Sequence, residues 1–188
     1  MRDPKAWLLW AERRCGATVE GMQPSAICQD GPVPTTVPVR ADAPEIADLT
    51  AEVIAEYAVR YDDPHDDIAP TAPDSSWLLV VDDDARAVGC GAVQPWSHTV
   101  GEAPPHVGEL KRMYVRPSAR GRGLSRLLLD GLVAVARDRG MTALVLETGT
   151  EQPEAIGLYT SYGFTPTHLW GPYRDDPRSR CFRLDLAD

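Results

Sequence analysis

The run Met113-Tyr114-Val115-Arg116-Pro117-Ser118-Ala119-Arg120-Gly121-Arg122-Gly123-Leu124-Ser125 joins an apolar strand to a helix through a basic, glycine-bearing turn. Such a turn is suited to holding an anion. Glycines let the backbone approach a ligand closely, and the first N–H groups of a helix have no intrahelical acceptor. The helix dipole adds about 0.3–1 kcal/mol for each negative charge placed there. A phosphate-bearing ligand fits, although a helix start carrying solvated arginines has the same composition. The turn is neither G-x-x-x-x-G-K-[ST] nor G-x-G-x-x-G, so the P-loop and dinucleotide patterns do not account for it.

The elements that must position this turn follow from hydrophobic periodicity. Residues 1–34 read as an extension, with a short helix from about Pro4 to Arg14 and a stretch rich in Gly, Pro and Ser. Residues 35–188 read as one domain. A strand through Val37 to Arg40 precedes Asp42-Ala43-Pro44-Glu45, which has the form of an N-cap with a capping-box acid, and a helix to about Arg60. Tyr61 to Asp74 is an acidic loop or short helix. Trp77 to Val81 and Ala87 to Pro95 form a hairpin across Asp82-Asp83-Asp84, and Leu110 to Val115 is a further strand. Leucines and valines at helical spacing predict an amphipathic helix from Gly121 to Arg139. A buried strand at Ala143 to Glu147, a helix at Pro153 to Tyr162 and strands near Thr165–Leu169 and Arg180–Leu186 complete a mixed α/β order.

Composition narrows the function classes. Twenty-eight acidic against nineteen basic residues give a formal charge of −9, which disfavours nucleic acid and anionic membrane as partners. Lys111, Arg112, Arg116, Arg120, Arg122 and Arg126 form a basic island in this acidic chain, which suits either an anionic partner or a solvated charged face. Cys15, Cys28, Cys90 and Cys181 show no C-x-x-C pairing, and no leader-like or membrane-spanning apolar run is present, so reduced thiols and a cytoplasmic location are expected. His65, His98 and His168 lack metal-ligand spacing, so no metal is expected.

Residues 36 to 186 resemble the GNAT superfamily of acyl-CoA-dependent N-acyltransferases in motif order. Arg120-Gly121-Arg122-Gly123-Leu124-Ser125 is similar to that family's [QR]-x-x-G-x-[GA] pyrophosphate loop, with Ser125 in place of the last small residue. Gln152-Pro153-Glu154-Ala155-Ile156-Gly157-Leu158-Tyr159-Thr160-Ser161-Tyr162-Gly163-Phe164 resembles N-x-x-A-x-x-L-Y-x-x-x-G-F, with Gln152 for the asparagine. The resemblance implies a GNAT-type, mostly antiparallel central sheet of six to seven strands flanked by helices, and acetyl-CoA as co-substrate. It implies that main-chain groups from Met113 through Tyr114 to Val115 hold the pantetheine arm, that N–H groups from Arg120 to Ser125 hold the pyrophosphate, and that the Gln152 amide bonds the cofactor arm. By the same analogy the chain forms a homodimer through a free edge at its last strand.

Attack of an amine on a thioester needs donors for an oxyanion, an acid for the departing thiolate and a base for the incoming ammonium. Tyr159 is the candidate acid, since a phenol of pKa about 10 can protonate a thiolate while itself neutral at pH 7. Tyr162 lacks the motif position and reads as core. Glu109 is the candidate base, at a position where several members of the resembled family keep a glutamate. Strand alternation would put it on one face with Lys111, Met113 and Val115. A strand glutamate paired with Lys111 or Arg112 is the competing reading, and His106 is a weaker candidate. Tyr61, Asp62, His65 and the neighbouring acids fall where the resembled fold binds its acceptor, and either select a cationic acceptor or form a solvated loop. The functional expectation is N-acetyl transfer to a small-molecule or peptide amine. A non-catalytic acyl-CoA sensing module and a protein acetyltransferase are the alternatives.

Overall fold

The computed structural model describes residues 33–62, 71–101 and 103–186. The expected extension and most of the acidic segment, including His65, lie outside the described residues. The order is β1 (Thr35–Val39), α1 (Pro44–Tyr61), β2 (Ser76–Val81), β3 (Ala87–Pro95), a short helix α2 (Ser97–Val100) and β4 (Val107–Val115). It continues through α3 (Leu124–Asp138), β5 (Ala143–Gly149), α4 (Pro153–Tyr162), β6 (Thr165–Thr167) and β7 (Ser179–Asp185). The strands form one seven-stranded sheet in the order β1-β2-β3-β4-β5-β7-β6. All neighbours are antiparallel except β4 and β5.

Two apolar layers hold the sheet. On one face α3 buries Leu124, Leu128, Leu129, Leu132, Val133 and Ala136 against Leu78, Val80, Leu110, Val115, Leu144 and Leu146. Each leucine fully buried there contributes about 1.5–3 kcal/mol of transfer free energy. The side chains of α4 join this layer through Tyr159. On the opposite face Ile46, Leu49 and Val53 of α1 cover Trp77, Leu79, Val81, Cys90, Ala92 and Tyr114. Among the described residues no helix is long and apolar enough to cross a membrane.

Three expectations are corrected. Asp42 does not cap α1: the N-cap is Ala43, with no side-chain cap bond, because Pro44 opens the helix and Asp42 instead pairs with Arg40 at 2.9 Å. The strand expected from Leu110 begins at Val107, because Val107 pairs with Ala143 and the Thr142 N–H donates to the His106 carbonyl at 2.8 Å, extending the ladder to the start of β5. The last strand offers no free edge, since β7 lies between β5 and β6, and β1 and β6 are the edges.

Candidate active site at the sheet opening

β4 and β5 pair at Val107–Ala143, Gly108–Leu144 and Glu109–Val145 and then part, although β4 runs on to Val115 and β5 to Gly149. From Leu110 onward, the β5-facing main-chain groups of β4 therefore have no ladder partner on that side. A second irregularity lies beside this opening. Between Cys90–Tyr114 and Ala92–Lys111 the single residue Gly91 opposes both Arg112 and Met113, which is a β-bulge with Arg112 at φ 58°.

The bulge overturns the simple alternation expected for β4. Met113 and Val115 join Leu110 in the layer beneath α3, whereas Tyr114 lies under α1. Glu109 and Lys111 stay on the α1 face, bonded to Gln94 and Tyr173 respectively. One extra residue exchanges the two faces of everything after it, because side chains in a strand alternate with period two.

The loop from Arg120 to Ser125 stands at the start of α3. Gly121 and Gly123 have φ of 76° and 77°, and a β-carbon at either would meet nothing within 4 Å. The N–H groups of Gly121, Arg122, Gly123, Leu124 and Ser125 find no acceptor among the described residues. This is the cradle that a pyrophosphate requires: consecutive donors, positive backbone angles and an approach free of side chains. The arginines themselves are already engaged. Arg116 pairs with Glu52 at 2.7 Å, Arg120 with Glu56 at 2.6 Å and Arg122 with Asp83 at 2.9 Å. Arg126 stacks 4.5 Å from the Tyr162 ring centroid. These four arginines are thus internally answered, and the donors left open at the loop are its backbone N–H groups. Arg120 also donates to the Val115 carbonyl at 2.9 Å and lies over the buried Tyr114 ring, fixing the loop to the end of β4.

On the α1 face Glu109 is fully buried. Its Oε2 accepts from Gln94 Nε2 at 3.0 Å and from the Thr99 hydroxyl, and its Oε1 faces Lys111 Nζ at 3.5 Å. Lys111 donates to the Tyr173 hydroxyl at 2.8 Å. Gln94 Oε1 in turn accepts from the Ala72 N–H at 2.8 Å, so the cluster also anchors the chain that returns from the acidic segment. His106 is exposed at φ 63°, before the paired end of β4 and away from the opening.

Glu147, which sequence reasoning did not single out, lies on β5 beyond the last residue paired with β4. It follows Ala143 and Val145 on the α1 face. Its Oε1 accepts from Ser179 Oγ at 2.7 Å, and burial raises its pKa above the ordinary glutamate value. Its signal in the sequence was a single charge directly after the apolar run Ala143 to Leu146, toward the strand's carboxyl end. Tyr159 comes from the other face, buried beside Phe164 with ring centroids 5.7 Å apart. Burial, reinforced by the negative potentials of Tyr57 and Glu147, raises the Tyr159 pKa, so the phenol stays protonated at neutral pH. A phenol and a carboxylate thus come from opposite faces of the sheet, close enough for the Glu147 charge to act on Tyr159.

The Gln152 amide bonds two tyrosines of α1. It accepts from the Tyr57 hydroxyl at 3.2 Å and donates to the Tyr61 hydroxyl at 3.0 Å, tying α1 to the start of α4. Arg60 adds bonds to Glu154 at 2.5 Å and to the Glu151 carbonyl at 3.0 Å. The Arg178 guanidinium lies 5.7 Å from the Tyr61 ring centroid. Tyr61 therefore belongs to the wall of the opening, while Asp62 ends α1 in the left-handed conformation, exposed. Among the described residues no three His, Cys, Asp or Glu side chains group as metal ligands.

The model of the acetyltransferase (GNAT) family matches residues 46–164. The chain is 40% identical over 102 residues to an IAA acetyltransferase of Azospirillum brasilense, covering 54% of this chain and 63% of that relative. It spans 59% of a second relative, an uncharacterized N-acetyltransferase of Schizosaccharomyces pombe. A solved candidate acyl-CoA N-acyltransferase from Klebsiella pneumoniae superposes with a TM-score of 0.67 at 30% identity, covering 82% of this chain and 98% of that one. The family model covers the glycine-bearing loop, the parted strands and the Tyr159 helix together, and the chain belongs to the GNAT acetyltransferase family.

Proposed function

We propose that this chain moves the acetyl group of acetyl-CoA to a primary amine of a small molecule or peptide. The observation that carries this reading is the parting of β4 and β5 after Glu109 and Val145, beside a loop whose five consecutive N–H groups find no acceptor among the described residues. The loop would hold the pyrophosphate through those N–H groups, and the exposed edge of β4 from Met113 to Val115 would pair with the amide-bearing arm. Bound acetyl-CoA supplies the thioester whose carbonyl carbon the amine attacks.

The residues around the gap divide the proton work. The amine enters on the α1 face, where Glu147 accepts its proton directly or through water, its raised pKa bringing its basicity nearer to neutral pH. Tyr159, kept neutral by burial, donates a proton to the departing sulfur from the α3 face. Glu109 was the base expected from sequence. Its full burial and its bonds to Gln94, Thr99 and Lys111 favour a positioning role for it, holding Lys111 at the rim of the gap. Glu109 as the base remains the competing assignment, and a pH profile separates the two.

Calorimetric titration with acetyl-CoA and CoA, followed by thiol-release assays over a panel of amines and peptides, tests the function. Binding with turnover is the expected result. Binding without turnover on any acceptor would favour the sensing module, turnover on peptides alone would favour a protein acetyltransferase, and absence of binding would remove the proposal.

A further inference from the structure

Glu147 of β5 and Ser179 of β7 share the α1 face of the sheet. In the antiparallel ladder Cys181 lies opposite Glu147 and Ser179 opposite Gly149, so the serine is the diagonal neighbour of the glutamate. The period of two along β7 turns Ser179 and Cys181 inward, while Arg180 between them is exposed. Gly149 sets no side chain against Ser179, and the Tyr61 hydroxyl occupies the place where its β-carbon would stand.

Ser179 is 3% exposed, and its backbone is fixed on three sides. Its N–H donates to the Asp176 carbonyl at 3.1 Å, its carbonyl accepts from Arg180 Nη1 at 2.7 Å, and the ladder pairs it with Gly149. From this position its hydroxyl donates to Glu147 Oε1 at 2.7 Å, the short distance of a bond to an ionised acceptor. Glu147 Oε2 has no hydrogen-bond partner among the described residues and is not sealed from solvent.

The charged groups that act on Glu147 are Lys111 and Glu109 of β4 and Asp176 of the β6–β7 link. Lys111 and Glu109 lie 3.5 Å apart and act on it in opposite directions. Tyr57 and Tyr61 of α1, Tyr159 of α4, Tyr173 of the β6–β7 link and Cys181 of β7 also face it. Burial raises the pKa of each, so all five stay neutral over the range in which a glutamate titrates. The Ser179 hydroxyl is thus the one direct hydrogen bond to the Glu147 carboxylate among the described residues, opposing the burial that favours the neutral acid.

Resting on the reading of Glu147 as the general base, we propose that Ser179 is its positioning residue: the serine hydroxyl clamps Oε1 against β7 and leaves Oε2 as the oxygen that takes the ammonium proton. The bond selects one rotamer of a side chain that would otherwise swing at the gap. It also holds the ionised form, the only form that can accept a proton.

The full chain carrying ¹³C at its glutamate carboxyl carbons, with the Glu147 signal assigned by its loss in Glu147→Gln, reads this ionisation by NMR without any acceptor. Ser179→Ala is expected to raise the Glu147 pKa by about one unit or more, the worth of a hydrogen bond to a charged group. The acidic limb of kcat/KM is expected to move to higher pH by the same amount, in thiol-release assays with acetyl-CoA and the fastest amine of the panel. Ser179→Thr keeps the hydroxyl and is expected to return both readings toward wild type. Ser179→Cys, of similar shape but with a weaker donor, is expected to fall between, and it carries the test if alanine destabilises the fold. A Glu147 pKa unmoved in the alanine and cysteine variants overturns the inference. A pKa that moves while the limb stays in place removes Glu147 as the base, and the inference with it. Turnover of no amine by the wild type overturns the acetyltransferase reading itself, and the NMR shift then reports a structural bond alone.

Discussion

The Tyr61 hydroxyl lies directly over the backbone of Gly149: a β-carbon on Gly149 would sit 1.7 Å from the Tyr61 oxygen. The end of α1 and the end of β5 therefore meet at a point where only glycine fits. Gln152 then fixes the tyrosine with a 3.0 Å bond. Gly149→Ala is expected to push Tyr61 out, to break that bond and to lower stability by about 1–3 kcal/mol, as overpacking does. Urea denaturation measures this. Tyr61→Ala in the same chain should recover part of the loss, because the two substitutions share one contact and cannot add.

Gly123 has a positive φ and open space where a side chain would point. Gly123→Ala should cost about 1–2 kcal/mol from the left-handed backbone angle alone and leave acetyl-CoA binding measurable. Gly123→Glu places a carboxylate against the pyrophosphate and should abolish binding in calorimetry at the same backbone cost. Equal affinities for the two variants would show that the loop does not hold the phosphates.

The hydroxyl of Tyr159 has no hydrogen-bond partner among the described residues, and its ring packs with Phe164. Tyr159→Phe should therefore keep the fold and the acetyl-CoA affinity while lowering kcat by ten- to a thousand-fold, the range of general acid catalysis. A variant with wild-type kcat would take the proton donation away from this residue.

The two carboxylates are separable by pH. A general base must be ionised, so the acidic limb of kcat/KM marks its pKa. Burial raises the Glu147 pKa, which moves that limb above the range of an exposed glutamate. Glu147→Gln should remove the limb and most of the activity. Glu109→Gln should leave the limb in place but cost about 3 kcal/mol in stability, because Lys111 then stays largely buried without its counter-charge. The opposite result, with the limb lost in the Glu109 variant alone, would return the base to Glu109.

The order of elements along the chain and the glycine-bearing turn before α3 were legible in the residues themselves. The continuous apolar run from Trp77 to Val81, the helical spacing from Leu124 to Ala136 and the glycines at 121 and 123 are local signals, because each depends on backbone preferences within one element. Tyr159 was legible through its place in a motif on one helix. The surroundings of Glu147, Gln152 and Arg112 were not. A lone glutamate in a strand acquires its meaning only when the neighbouring strand parts from it after Val145. The Gln152 amide is an equally good partner for a ligand or for two tyrosines, and only the packing of α1 brings Tyr57 and Tyr61 to it. The bulge at Arg112 is one extra residue with no marker such as glycine or proline, yet it decides which face Met113 and Tyr114 occupy. Sequence by itself determined most of the elements and the family resemblance, since these rest on short-range patterns. Tertiary structure alone decided which charges meet at the gap, because register, strand divergence and helix docking are set by contacts between residues distant along the chain.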